Sequence, residues 1–462
     1  MALSIFSMSD VSATVLIIQV VLVRKPLRRR IVKFFRRLGW FAFIPVFFAA
    51  VNGRAKDIEI SAGMPVLAWS KADSIMECVI HIKAPEKEGQ RRDPIQVLVL
   101  LDVSREMQGR ALQHAKEGIK AVVGGLHDRD VFGLIAYSNV ARTVLPLQPL
   151  TEGGKESAER TIDGVTDEDN RDLNAGFKEA AKQLERLSGN HNVGSYLFLI
   201  TNGDPNTGTT SADGLLESAL KIAEKHGISI STFGIEKEFN EQLLGQMADR
   251  TLGRAYFIRY PEQAVAPLSQ EIKRISDAVV RNVSLTLKPP STAKIGSVQG
   301  ALRDGENLKI GAMAPGDEHM IMVELLGPPQ KQKDCVIDIS WIEPSTQSTR
   351  RTTEYVDIPL TEGESDYNRD FAPFVLAVEL ENFLVENSGK MKSNRKQFAD
   401  VFRDKLLALE QENAVLNSEY LKEAVTEFGK LEHELANTAI DDEEMEKVLK
   451  YRLRSLFRQD KP

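Results

Sequence analysis

The chain has 462 residues, room for two to four ordinary domains, and its 42% hydrophobic and 27% charged residues exclude a fibrous or wholly disordered protein. Only two cysteines are present, Cys78 and Cys335, which excludes a zinc-ribbon or RING-type domain. The net charge of −7 is unevenly spread: residues 1–55 hold nine Lys or Arg against Asp10, leaving −15 on a body that would repel phosphate backbones, so nucleic acid is not an expected partner.

The basic head contains two apolar runs, Val11 to Val23 and Leu38 to Val51, on either side of eight basic residues between Arg24 and Arg37. Neither run reaches the roughly 20 apolar residues of a standard membrane span. The second run, behind its basic stretch, has the form of a signal peptide with small residues near Gly53 for cleavage. Leu27, Ile31, Phe34 and Phe35 among the basic residues also fit a helix lying on anionic lipid, giving a membrane contact through residues 11–51. A structureless tail is the third reading. Secretory, membrane-associated and cytoplasmic locations all stay open.

The body alternates between strand and helix. Ile95 to Leu101 is nearly unbroken in its apolar character, as expected of a strand buried on both faces. Leu112, Ala115, Ile119, Val122 and Leu126 follow at helical spacing. Strands are predicted at Val131 to Tyr137, Ala141 to Leu147, Tyr196 to Thr201, Ile228 to Ile235 and Ala255 to Arg259. Helices are predicted at Leu173 to Leu187, Leu215 to His226, Gln242 to Asp249 and Glu262 to Val279. This order implies an α/β unit with a mostly parallel sheet and helices on both faces, whose ligands sit beyond the carboxyl ends of the strands.

Before and after this unit, Ile58 to Ala84 and Val283 to Leu360 show short alternating runs with turn signals, as in an antiparallel β-sandwich into which the α/β unit is inserted. Cys78 and Cys335 sit in matching contexts there, as buried thiols or as a pair in a secreted chain. Asn282-Val283-Ser284 is a lone glycosylation sequon and discriminates nothing. Beyond Thr361 the pattern is charged and helical, without sustained heptads, and predicts three or four helices. The expected domains are 1–55 as signal or anchor, 56–92 as the first sandwich strands, 93–279 as the α/β unit, 280–361 as the rest of the sandwich, and 362–462 as a helical region.

The first strand of the α/β unit is not followed by the glycine-rich turn of a dinucleotide site; it runs Leu101-Asp102-Val103-Ser104-Arg105-Glu106-Met107. Oxygen-bearing side chains at alternate positions are the donors a hard cation such as Mg²⁺ takes. With Thr201-Asn202-Gly203-Asp204-Pro205-Asn206 and Ser231-Thr232-Phe233-Gly234-Ile235, this loop resembles those of von Willebrand factor A domains, with a metal-ion-dependent adhesion site. The flanking strands and helical tail make the chain similar to inter-alpha-trypsin-inhibitor heavy-chain-like proteins and to plant von Willebrand A proteins with RING-bearing ligase relatives. What the resemblance implies is the α/β fold described above and a site for protein ligands at the top loops.

Laid on the family pattern, Asp102 and Ser104 match, but the second Ser is Glu106, the Thr is Arg171, and the Asp is Asn202. An arginine cannot ligate a cation and is always protonated. The expectation is therefore a degenerate site in which Arg171 replaces the metal, pairs with Asp102 or Glu106, and holds three loops together. No metal or other cofactor is expected; if Mg²⁺ does bind, its ligands would be Asp102, Ser104 and Glu106. In a sharper variant Arg171 receives an acidic residue of a protein partner, and in a blander one the site serves stability alone. The acidic run Asp163, Asp167, Glu168, Asp169, Asp172 is expected to be a solvated loop and helix start.

No Gly-x-Ser-x-Gly elbow, His-Glu-x-x-His, Walker loop or EF-hand loop occurs, and the seven histidines are scattered, so no enzymatic activity is expected. The leading functional expectation is a non-enzymatic protein-interaction module. The alternatives are a metal-dependent adhesive or channel-associated ectodomain and a substrate-recruiting partner in ubiquitin ligation without a RING of its own.

Overall fold

A computed structural model describes residues 58–437 and 458–459, apart from residues 64–68, 71–74, 87–92, 187–193, 237–238, 291, 328–334, 345–347, 357–359, 362–367 and 392–393. The signal, anchor and membrane-contact expectations for residues 1–55 fall outside the described residues. No described helix is long and apolar enough to cross a membrane.

The α/β unit is a six-stranded sheet. Its strands are β4 (Ile95–Asp102), β5 (Val131–Tyr137), β6 (Ala141–Pro149), β7 (Gly194–Thr201), β8 (Ile228–Ile235) and β9 (Ala255–Ile258), in the order β6-β5-β4-β7-β8-β9. All neighbours pair in parallel except β6, which returns antiparallel along β5. Helices α1 (Arg110–Gly125), α2 (Glu152–Asp163), α3 (Leu173–Arg186), α4 (Ala212–His226), α5 (Glu241–Arg250) and α6 (Val265–Asp277) cover it. Val97, Val99 and Leu101 of β4 enter one core with Leu112, Ala115, Ile119 and Val122 of α1; Leu98 and Leu100 enter the other with Leu173, Phe177 and Ala180 of α3. That division explains why the strand lacks polar alternation: each of its faces is an interior.

Helix α2 was not predicted. Among its described side chains only Ala158 and Ile162 are buried, and Gly153 and Gly154 sit in its first turn, so its apolar stripe is too thin to read. Its start is fixed locally by Thr151, whose Oγ1 accepts a hydrogen bond from Gly154 N at 3.2 Å. The helix expected at Glu262 to Val279 begins three residues later, because Pro261–Gln263 forms a 3-10 turn. Pro267 is tolerated in the first turn, where no intrahelical N–H bond is required.

The sandwich is built from both flanks. One sheet holds β1 (Glu59–Gly63), β3 (Ile75–Lys83), β14 (Glu318–Leu326) and β11 (Lys294–Gln299), in that order; β18 (Arg458–Gln459) also pairs with β14. The other runs β12 (Leu302–Asp304), β13 (Asn307–Met313), β10 (Val280–Lys288), β15 (Cys335–Glu343) and β16 (Ser348–Val356). Short β2 (Trp69–Ser70) and β17 (Leu360–Thr361) form a parallel pair apart. Nine consecutive residue pairs, from Glu318–Lys83 to Leu326–Ile75, join β14 to β3 across the whole α/β unit, which is therefore an insertion in the sandwich. Cys78 and Cys335 are free, buried thiols in the sandwich core.

Three helices follow the sandwich strands: α7 (Ala372–Met391), α8 (Arg395–Leu416) and α9 (Glu419–Asn437). They share one core, and α7 also places Phe374, Val375 and Val378 against Val79 and Met322 on the outer face of the first sheet.

Candidate functional site

The five expected site residues converge beyond the carboxyl ends of the central strands. Asp102 ends β4, Ser104 and Glu106 follow in the loop and 3-10 turn after it, Arg171 precedes α3, and Asn202 follows β7. Asp102 is fully buried and Arg171 is 4% exposed.

Arg171 is the hub. Its Nε stands 2.8 Å from Asp102 Oδ2 and donates to Ser104 Oγ at 3.1 Å. Nη1 donates to the Asp204 carbonyl at 2.7 Å, and Nη2 donates to Glu106 Oε2 at 3.1 Å and Asn202 Oδ1 at 3.2 Å. The expectation that Arg171 pairs with Asp102 or Glu106 resolves to both. A planar, permanently charged fork suits this task, since its donors diverge toward several acceptors at once.

The loops are tied by further bonds. Asp102 Oδ1 accepts from Ser104 N at 2.9 Å, and its Oδ2 accepts from Thr201 Oγ1 at 2.6 Å. Asn202 Nδ2 donates to the Glu106 carbonyl at 2.5 Å. The Arg171 backbone N–H donates to Asn206 Oδ1 at 2.7 Å, and its carbonyl accepts from the N–H groups of Asn206 and Thr207 at 3.1 and 3.2 Å. Asn170, just before Arg171, adopts φ 54°, a left-handed conformation that asparagine tolerates better than most residues.

Several participants were missed. Thr201 has no assigned role in the sequence beyond the strand end and loop it belongs to, yet its hydroxyl shares Asp102 with Arg171. Gly203 leaves the space that the guanidinium fills. Glu236, at φ 66°, brings a third carboxylate to the site, 3.4 Å from Asn202 Nδ2. Their signal was weak because each acts through position rather than residue type. Beneath the site, burial and then the Asp102 charge push the Tyr137 phenol well above its ordinary pKa, so it stays protonated.

The acidic run is structural rather than one cluster. Glu168 accepts from Ser138 Oγ at 2.5 Å and Arg142 Nε at 3.1 Å, and these partners, Ser138 first, hold its carboxyl below the usual range. Asp172 Oδ1 accepts from Ala175 N at 3.0 Å, capping α3. Asp163 pairs with Lys120 at 2.8 Å.

The family's metal would stand against Asp102, where the guanidinium now lies, and no group of three or more His, Cys, Asp or Glu among the described residues could hold a metal ion. A cation entering here would meet a buried positive charge at close range.

Residues 96–270 match the family described as von Willebrand factor type A domain. It is 27% identical over 126 residues to the E3 ubiquitin-protein ligase WAVH1 of Arabidopsis thaliana, covering 26% of this chain and 18% of the ligase. It is 23% identical over 211 residues to inter-alpha-trypsin inhibitor heavy chain H3 of Rattus norvegicus, covering 45% of this chain and 23% of that one. The chain thus spans less than a quarter of the length of these two relatives. The solved von Willebrand factor type A protein from Catenulispora acidiphila superposes with a TM-score of 0.67 at 14% identity, covering 89% of this chain and 99% of that one, which extends the likeness of fold into the sandwich and helices.

Proposed function

We propose that this chain is a metal-independent protein-interaction module, in which Arg171 takes the place of the adhesion-site cation and fixes the top loops for a protein partner. The observation that carries this reading is the buried Arg171 guanidinium, 2.8 Å from Asp102 Oδ2, with all three nitrogens engaged inside the chain. A metal site assembles its loops only when loaded; a covalently attached cation keeps them assembled at all times. The module has no catalytic role in this reading.

An acidic partner residue reaching Arg171 would have to displace an internal acceptor. Glu106 is the one anion of the set with solvent access, its side chain being 51% exposed, so the exchange would occur there. The ligase relatives support a second reading, recruitment of substrates to a partner ligase, since the two cysteines of this chain cannot build a RING. A ligase co-purifying with the chain supports that second reading, and loss of the association in a Glu106→Ala variant places it at the top loops.

The test is calorimetric titration with Mg²⁺ and Mn²⁺ of the wild type and of an Arg171→Thr, Glu106→Ser, Asn202→Asp variant. Binding by the variant alone is the expected result. Binding by the wild type would overturn the cation-replacement reading.

A further inference from the structure

Where α7 lies on the sandwich, one carboxyl has no electrostatic reason to be buried. Glu381 is 7% exposed, and its Oε2 has no hydrogen-bond partner among the described residues. It falls at helical spacing after Phe374 and Val378, the residues that α7 packs against Val79 and Met322.

Among the described residues, the charged and titratable groups around this seam offer it no cation. On β3 the face shared with Val79 carries Glu77 and His81, and the β14 residues opposite these are Glu324 and Met320. His81 is already 3.2 Å from Glu318 Oε2, and Glu324 Oε2 accepts from Ser297 N at 3.1 Å. On α7 itself Glu379 adds another acid. From α8, Lys405 places its Nζ over the Phe383 ring, 4.6 Å from the centroid. From α9 come Tyr420, whose ring is tilted against that of Phe374 with centroids 5.9 Å apart, and Glu423; burial and then Glu381 push the Tyr420 phenol up.

We propose that this seam is a proton-controlled latch: neutral Glu381 lets the C-terminal helices stay docked on the outer sheet, and its ionisation favours their release. A carboxylate in such a place would lose its hydration without gaining a counter-charge, so the closed seam retains the proton and the open seam gives it up to water. Burial raises the Glu381 carboxyl to about 8, against an ordinary value of 4.5. The sign follows. Between those values the closed state holds one more proton than the open one, so opening becomes easier as pH rises and levels off above the higher value. Release would uncover Val79, Met320 and Met322 as an apolar strip.

The experiment is hydrogen exchange by mass spectrometry on the full chain from pH 5.5 to 9, following peptides of α7 against those of α1 and corrected for intrinsic exchange rates. In the wild type the α7 opening constant should rise about tenfold per pH unit until about pH 8 and then flatten, one proton's worth of linkage. In the E381Q variant that rise should vanish, and E381L should be flat and more protected throughout. An α7 opening constant in the wild type that does not change with pH relative to α1 overturns the proposal, as does an E381Q profile with the wild-type slope.

Discussion

Gly203 and the Arg171 guanidinium compete for one space: a Cβ at residue 203 would stand 3.0 Å from Cζ and closer still to Nη1. The missing side chain of one residue is thus the seat of the other's charge. Gly203→Ala should push the guanidinium off its acceptors and lower stability by about 1 to 3 kcal/mol, the ordinary cost of overpacking a filled interior. Thermal melts of the two proteins check it; an unchanged melting temperature would mean that the guanidinium is free to move.

Removing one member of the buried pair should cost more than removing both. Arg171→Met leaves Asp102 charged in a closed interior, a loss of about 3 to 5 kcal/mol, whereas adding Asp102→Asn removes the stranded charge and should recover part of that loss. A double-mutant cycle in urea measures the difference as a coupling free energy. Additive single effects would show that the two side chains do not sense each other.

A second buried pair predicts an acid limit. Glu271 is fully buried at the base of the α/β unit, 2.7 Å from Arg274 Nη2, and accepts from Ser231 Oγ at 2.6 Å and Tyr256 OH at 2.8 Å. Burial alone would raise its carboxyl, but Arg274 outweighs burial and holds it at about 2. Its contribution is therefore present above about pH 4.5 and lost as pH falls toward 2. Melting temperatures between pH 2.5 and 7 should decline less steeply in Glu271→Gln, from a lower starting value at pH 7.

Both thiols should be silent in the native chain. Burial raises the Cys78 thiol, with a further push from Cys335, and lifts Cys335 itself to about 12, so neither supplies thiolate near neutrality. A colourimetric thiol reagent should find none in buffer and two per chain in guanidinium chloride. Rapid reaction of either in buffer would mean that the sandwich core opens.

Much of this architecture is legible because strands such as Val131–Tyr137 are almost unbroken apolar runs and the helices around them keep one face each. Ile228–Ile235 is legible despite Ser229, Ser231 and Thr232, because its isoleucines and Phe233 follow a helical period directly. The site was legible as a set of departures, since Arg171 and Glu106 are conspicuous where a cation ligand is expected. What escaped had no pattern to show. Helix α2 buries too little, Gly203 matters by what it lacks, and Thr201 resembles any polar residue at a strand end. Glu381 is invisible for a related reason: one acid in a charged helix does not announce which face it occupies.

The pairing of His81 with Glu318 spans 237 positions, and every residue of the inserted unit lies between them. A ribosome adding about 5 to 20 residues per second reaches β14 some tens of seconds after β3 has emerged. In that interval the inserted domain can complete its own sheet, while β3, with its run Cys78-Val79-Ile80-His81-Ile82, waits without its main partner. The newborn chain therefore passes through a stage with an apolar strand edge in the open, and the period of greatest exposure to aggregation or chaperone capture is set by the length of the insertion, not by the stability of the finished sandwich.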